Sequence, residues 1–134
     1  MRRRVAEARV GRLATVSSLG RPHVVPCCFV LSGAVLYSAI DAKPKSTLLP
    51  QRIRNLQTSS SAALLVDHYT EEWQALWWIR VDGSGRVLEV PSRDLSGERD
   101  RALERLAAKY HQYAVEPPPG PVIAIDITRW QAWP

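Results

Sequence analysis

The sequence predicts a mainly β domain, an antiparallel meander or barrel wall accompanied by a few helices, and three observations support this fold class. Three short runs rich in apolar and β-branched residues follow one another closely, at 12–16, 23–31 and 35–40. Turn-forming sequences containing Gly20 and Gly33 separate these runs. The chain has 134 residues and 46% apolar content, which suits one domain with a single core.

Further strands are predicted in the second half of the chain. Residues 62–67 form a short continuous apolar run, which is typical of a buried strand. Residues 76–90 are expected to form two strands joined by a turn at 82–85, and a last strand is expected at 122–128. Pro26 lies inside the second run and has no backbone N–H to donate, so that strand should bulge or lie at a sheet edge.

Three helices are expected between the strands. A short one at 2–9 should stop before Gly11. Residues 44–57 have helical apolar spacing interrupted by Pro50, which predicts a broken helix, or a turn and then a helix. The helix at 96–110 aligns its apolar residues on one face.

Charge and hydropathy limit the classes of partner. The formal net charge of +5 favours an anionic partner, although it also fits arginines spread over a solvated surface. No apolar run approaches the roughly 18 residues that a membrane span needs, and the basic N-terminus does not resemble a signal peptide. We therefore expect a single domain over 1–134 that is cytoplasmic and has no membrane partner.

The two cysteines, Cys27 and Cys28, are adjacent in an apolar run. Neighbouring residues of a strand point to opposite faces, so the two thiols are expected to be free and to act as small apolar groups. Because His23, His68 and His111 are scattered without ligand-like spacing, no metal site is predicted.

Basic residues near the middle of the chain are candidates for phosphate binding. Lys43 and Lys45 flank Pro44 at the start of a predicted helix, which would place cations and free helix N–H groups together. A solvated lysine turn is the alternative. Arg52 and Arg54 lie on different sides of the following helix, so at most one should face the same pocket.

The tryptophans are unusually frequent, with five in the chain. Trp77 is expected to fill the core. Trp78 shares a strand face with Arg80, two residues on, so this pair is either a stacking platform with a cationic neighbour or further core. Trp130 and Trp133 are expected to cover a partner's site or to anchor an interface.

The ordered set of these segments resembles the pyridoxamine-phosphate-oxidase-like split β-barrel superfamily, and within it the short actinobacterial branch of deazaflavin-dependent oxidoreductases. The resemblance extends over nearly the whole chain and is carried by "RLATVSSLGRPHVVPCCF" (12–29), "LYSAIDAKPK" (36–45), "RIRNL" (52–56), "LLVDHYTEEWQALWWIRVDGSGRVL" (64–88) and "RWQAW" (129–133).

The resemblance implies a homodimeric, FMN-binding-protein-like split barrel with a redox cofactor between subunits. The short form and the basic excess favour coenzyme F420 with its acidic tail, and FMN is the alternative. By the same resemblance, the strand at 24–29 runs along the cofactor ring, and Ser38 and Ala39 flank that ring or the ribityl chain. Lys43 and Lys45 hold the phosphate, and Trp78 contacts the cofactor from the partner subunit. The cofactor-binding residues are then Val24, Val25, Pro26, Cys27, Ser38, Ala39, Lys43, Lys45, Trp78 and Arg80.

The expected activity is hydride transfer between the cofactor ring and an unsaturated small-molecule substrate, with no catalytic side chain identified. A non-catalytic carrier or sensor of the same cofactor is a second reading. A single-strand nucleic-acid-binding barrel is a third, but the tryptophans lie in strand patterns typical of buried residues, so no nucleic-acid partner is expected. Residues for vitamin B6 phosphate and the histidine extension of haem-degrading members are not found in this sequence.

Overall fold

The computed structural model describes residues 1–40, 49–90 and 97–134. In these ranges the chain forms a seven-stranded antiparallel sheet with the spatial order β2-β1-β5-β6-β7-β4-β3. The strands are β1 Gly11–Val16, β2 Pro22–Cys27, β3 Val30–Ser32, β4 Val35–Ala39, β5 Ser61–His68, β6 Trp77–Leu88 and β7 Val122–Trp133. The helices are α1 Arg2–Glu7, α2 Gln51–Thr58, α3 Glu98–Lys109 and α4 His111–Val115, with a short 3₁₀ turn at Trp73–Ala75.

The sheet curls into a half-barrel, so that its two edges approach each other. The Ser38 hydroxyl on β4 donates a hydrogen bond to the Cys28 carbonyl oxygen, just beyond the end of β2, at 2.8 Å. The inner face of the curled sheet holds the main core, which includes Leu13, Leu64 and Val81. The mainly β fold predicted from the sequence is therefore confirmed.

Helix α2 closes the inner face of this core. It buries Ile53 and Leu56 against the sheet, and its buried Asn55 donates a hydrogen bond to the Thr15 hydroxyl on β1 at 2.9 Å. A buried amide needs such a partner, since leaving it unpaired would cost about 1–3 kcal/mol. This helix begins directly after Pro50, as the sequence predicts, while residues 44–48 of the expected broken helix lie outside the described residues.

Helices α3 and α4 cover a second apolar cluster on β4 and β7. Ala102 and Leu106 of α3 pack with Tyr37 and Val122. The predicted helix at 96–110 is confirmed in position, but it ends at Lys109, and a separate short helix begins at His111.

The predicted hairpin at 76–90 is wrong, because β6 runs through Gly83 and Gly85 as one strand with a bulge at Asp82/Gly83. These glycines let β7 and α2 approach β6 closely, and they do not form a turn. A Cβ on Gly83 would collide with the Asp126 carbonyl oxygen of β7, and one on Gly85 would lie 2.5 Å from Leu56 of α2. Neither glycine has a positive φ.

Two other strand boundaries differ from the sequence expectation. The run at 23–31 is split into β2 and β3, and β2 is an edge strand of the described sheet, which suits Pro26. The last strand continues past residue 128 to Trp133, because it pairs with β6 from Trp78 to Leu88.

Within the described ranges, no helix combines the length and apolar character needed to cross a bilayer.

Candidate functional site

The candidate site lies on the outer face of the sheet, opposite the core. Along β6 the side chains alternate, so Trp77, Ile79 and Val81 face inward while Trp78 and Arg80 face outward. The opposite placement of the two adjacent tryptophans is as the sequence predicts.

Strand register sets which outward residues lie side by side, because directly paired residues share a face. Arg80 pairs with Leu65 on β5, which pairs with Arg12 on β1, and Arg12 pairs with Pro26 on β2. The next row contains Val24, Ala14, Ala63 and Asp82. The residues of each row come from distant parts of the sequence.

The small side chains of Ala14 and Ala63 leave a depression between their larger neighbours. It forms a cavity of about 440 Å³, here called the outer groove. This volume lies in the range of small-molecule sites. The outer groove is lined by Arg12, Ala14, Val24, Ala63, Leu65, Asp67, Tyr69, Trp78 and Arg80.

One end of the outer groove is aromatic. Trp78 pairs on one side with Asp67 of β5 and on the other with Trp133 of β7, so the two indoles are neighbours on the outer face. Tyr69 also lines this end. Trp133 is half-exposed and Tyr69 is 76% exposed, which is a large aromatic area left in contact with water.

Each charged residue that lines the outer groove has a side-chain partner, although the partners of Arg80 lie outside the lining. Arg80 donates to Asp82 at 2.8 Å and to the side-chain oxygen of Gln131 at 2.7 Å. Arg12 contacts Asp67 through one guanidinium nitrogen at 3.5 Å, which is a long hydrogen bond. Arg12 therefore retains more N–H donors for a ligand than Arg80 does.

Three of the sequence-predicted cofactor residues are brought together by the fold: Val24, Trp78 and Arg80 all line the outer groove. Pro26 lies in the same row as Arg12 and is exposed. Lys43 and Lys45 lie outside the described residues.

The other four predicted residues lie away from the outer groove. Val25 packs against the main core and Cys27 belongs to it. Ser38 and Ala39 on β4 are 3% and 4% exposed, and the Ser38 hydroxyl is already bonded to Cys28. Of the eight predicted residues that the structure describes, four thus lie in or beside the outer groove and four lie in or against the apolar interior.

Helix α2 places Arg52 and Arg54 in different surroundings, as expected. Arg54 is exposed and donates to the Gln51 side-chain oxygen at 2.5 Å. Arg52 is half-buried, and its Nε is buried and has no hydrogen-bond partner among the described residues.

Sequence reasoning missed Arg12, Ala14, Ala63 and Asp67. No local pattern marks two alanines as a groove floor, and Arg12 appears in the sequence only as the polar start of a strand. Their roles follow from the β1–β5 register, which aligns Arg12 with Leu65 and Ala14 with Ala63.

Neither Cys27 nor Cys28 is in a disulfide bond, and the two side chains lie on opposite sides, as expected. Cys27 belongs to the main core, whereas Cys28 packs against the second cluster beside Tyr110. Burial and the neighbouring Arg9 lower the pKa of Lys109 in this region to about 8, and burial raises the pKa of Tyr110.

Taken together, these features define a curled antiparallel half-barrel with a ligand-sized groove on its outer face. The family model described as pyridoxamine 5'-phosphate oxidase matches residues 1–134. The chain therefore belongs to the pyridoxamine 5'-phosphate oxidase family, and the split-barrel part of the sequence resemblance is confirmed. A search of curated proteins finds no match.

Solved structures with the same fold include proteins of several kinds. The conserved hypothetical protein Rv2991 from Mycobacterium tuberculosis has a TM-score of 0.73 at 17% identity, covering 96% of this chain and 79% of that one. The heme storage protein HutZ from Vibrio cholerae has a TM-score of 0.71 at 14% identity, covering 95% and 86%. An FAD-binding protein from Mesorhizobium loti has a TM-score of 0.62 at 25% identity, covering 96% and 85%.

Proposed function

We propose that this protein is an oxidoreductase that binds a flavin-type redox cofactor in the outer groove of a homodimer, with coenzyme F420 as the preferred cofactor and FMN as the alternative. Its reaction is hydride transfer to an unsaturated small-molecule substrate. The observation that supports this proposal is the outer groove itself, which combines an indole wall, an apolar floor and guanidinium groups at its rim.

The residues of the outer groove fit a planar, anionic, conjugated ligand. Trp78 offers a π-face for stacking, and Ala14, Ala63 and Leu65 form a floor that excludes water. Arg12 has spare N–H donors for anionic oxygens. When bound, the cofactor ring supplies the hydride chemistry, while these residues bind and orient it.

A second copy of the chain is the proposed cover of the outer groove. Val24 is 61% exposed on one side of it and Trp133 is 50% exposed near the other. Exposed apolar groups of this size favour association, and a symmetric dimer would cover them and give the groove its second wall.

The preference for F420 rests on charge. The net charge of +5 favours a cofactor with several anionic groups over one with a single phosphate. A non-catalytic carrier or sensor of the same cofactor needs only the ring-binding residues, so an activity measurement must accompany the binding measurement.

In the experiment, purified protein is titrated with F420, FMN, FAD, haemin and a single-stranded oligonucleotide. Fluorescence or calorimetry measures the binding of each ligand. We expect F420 to bind most tightly, FMN more weakly, and reduced F420 to be oxidised when an unsaturated acceptor is added. Binding without turnover across a panel of acceptors would support the carrier. Tight binding of haemin or the oligonucleotide, with none of F420 or FMN, would refute the proposal.

A further inference from the structure

A second pocket adjoins the aromatic end of the outer groove. It has a volume of about 270 Å³ and lies between α1 and the start of β1. Arg12 and Asp67 line both cavities, so they form a shared wall. A ligand in the outer groove that extends past this wall would enter the second pocket, here called the N-terminal pocket.

Three arginines line the N-terminal pocket, and two of them have no carboxylate partner among the described residues. Arg4 lies over the Trp77 ring with its central carbon 4.7 Å from the ring centroid. Arg9 lies over the Tyr110 ring at 4.7 Å and donates to the Lys109 carbonyl oxygen at 2.9 Å. Contact with an aromatic face leaves most guanidinium N–H donors available, because they lie at the edge of the cation.

The acidic residues of the N-terminal pocket are already engaged. Glu7 pairs with Arg3, which does not line the pocket, at 3.0 Å, and Asp67 pairs with Arg12 at 3.5 Å. The pocket is therefore lined by two arginines that have no carboxylate partner among the described residues. Arg4 is held over Trp77 inside the pocket, and Arg9 is held over Tyr110 at its boundary with a neighbouring cavity that Arg9 and Tyr110 also line. Guanidinium groups bind carboxylate and phosphate oxygens through paired N–H donors.

We infer that the N-terminal pocket is a subsite for the anionic tail of the ligand whose ring occupies the outer groove. The tail carries carboxylate or phosphate oxygens, and Arg4 and Arg9 are the residues that bind it. This inference rests on the proposed function and deepens it, because it assigns the recognition of the ligand's charged end to residues outside the ring site.

The test compares ligands that share one ring and differ in their tail. The deazaflavin ring with its ribityl chain alone, the form with the phosphodiester added, and full F420 with its glutamyl tail are titrated into the dimer. The proteins are the wild type, Arg4→Gln and Arg9→Gln. Arg105→Gln is the matched control, because it removes one positive charge from the exposed face of α3.

We expect Arg4→Gln and Arg9→Gln each to weaken binding of the ligand that carries the anionic tail by roughly threefold to tenfold. The affinity for the ring compound without the tail should stay unchanged. A loss that begins with the phosphodiester form identifies phosphate as the occupant, and a loss confined to full F420 identifies the glutamyl carboxylates. Arg9→Lys keeps a positive charge, so it should recover part of the lost affinity if Arg9→Gln folds poorly.

The inference is overturned if both variants bind all three ligands as the wild type does, or if they lose affinity for the ring compound equally. An equal loss in Arg105→Gln would also overturn it, since the effect would then be one of net charge. Failure of the wild type to bind even the ring compound would instead refute the proposed function.

Discussion

The ammonium group of Lys109 lies 4.0 Å from the centroid of the Phe29 ring and donates a hydrogen bond to the Phe29 carbonyl oxygen at 2.8 Å. This contact ties the end of α3 to the link between β2 and β3. It also places a cation in a half-buried position beside Arg9, where burial and the like charge lower the pKa of Lys109 from its ordinary 10.5 to about 8.

The lowered pKa predicts a specific pH dependence of stability. Between about pH 8 and 10.5 the unfolded chain binds more protons than the folded one at this site, so the free energy of unfolding should gain from Lys109 as the pH rises. Lys109→Met removes that gain and still leaves the Phe29 carbonyl oxygen a hydrogen bond from the Tyr110 hydroxyl. Urea unfolding of both proteins across this pH range measures the difference. Parallel pH curves for wild type and Lys109→Met would contradict the prediction, and Arg105→Met should follow the wild type.

Helix α3 is attached to the sheet by a two-point ion pair, in which Arg86 donates to both oxygens of Glu98 at 2.9 and 3.0 Å. The Tyr37 hydroxyl donates to the same carboxylate at 2.7 Å. We expect Glu98→Gln to lower the free energy of unfolding by about 1 kcal/mol, because a charge-assisted pair becomes a neutral one. Asp100→Asn is the control, since it removes another first-turn charge at a side chain that is 79% exposed. Equal losses in the two variants would show that the helix dipole, and not the ion pair, is responsible.

In the proposed site, the cofactor ring stacks on the indole of Trp78. Trp78→Ala should weaken cofactor binding by roughly tenfold or more, because it removes an aromatic face from the outer groove. The fold should survive, since Trp78 projects away from the core. Trp73→Ala removes a tryptophan that is 78% exposed and does not line the outer groove, so its affinity should equal that of the wild type. Fluorescence titration measures both. A Trp78→Ala protein with unchanged affinity would move the ring elsewhere.

If a second copy of the chain covers the outer face, a charge placed at the centre of that face should prevent dimerisation. Ala63→Glu places a carboxylate on the groove floor, where association would bury it without a partner. Light scattering at micromolar concentration should then report a monomer, whereas Ala108→Glu, at an exposed position on α3, should remain dimeric. A monomeric wild type would refute the proposed dimer, whereas an Ala63→Glu protein that still dimerises would place the interface on another face.

The phosphate site predicted at Lys43 and Lys45 can be tested independently of their position. Replacing either lysine with Ala should weaken binding of the intact cofactor by roughly tenfold to a hundredfold, and leave binding of the phosphate-free ring compound nearly unchanged. Added salt should weaken the wild type more than the variants, because the lost interaction is the screened one. Unchanged affinity in both folded variants would indicate a solvated lysine turn, and the phosphate site would then be sought around Arg52, Arg54 and Arg80.

The sequence alone determined what depends on local periodicity. Alternation along a strand places Trp77 inward and Trp78 outward, and it separates Cys27 from Cys28, because neighbouring side chains of an extended chain point to opposite faces. The helices after Pro50 and near Glu98, and most strand positions, follow from the same local rules.

The tertiary structure decided what depends on pairing between distant segments. Gly83 and Gly85 suit either a turn or a close approach, and only the contact with β7 and α2 makes β6 continuous. Ala14 and Ala63 become a groove floor because the β1–β5 register sets them side by side. Register is fixed by long-range hydrogen bonding and by which face is buried, so the sequence alone identified Val24, Trp78 and Arg80 but not the residues beside them in the outer groove.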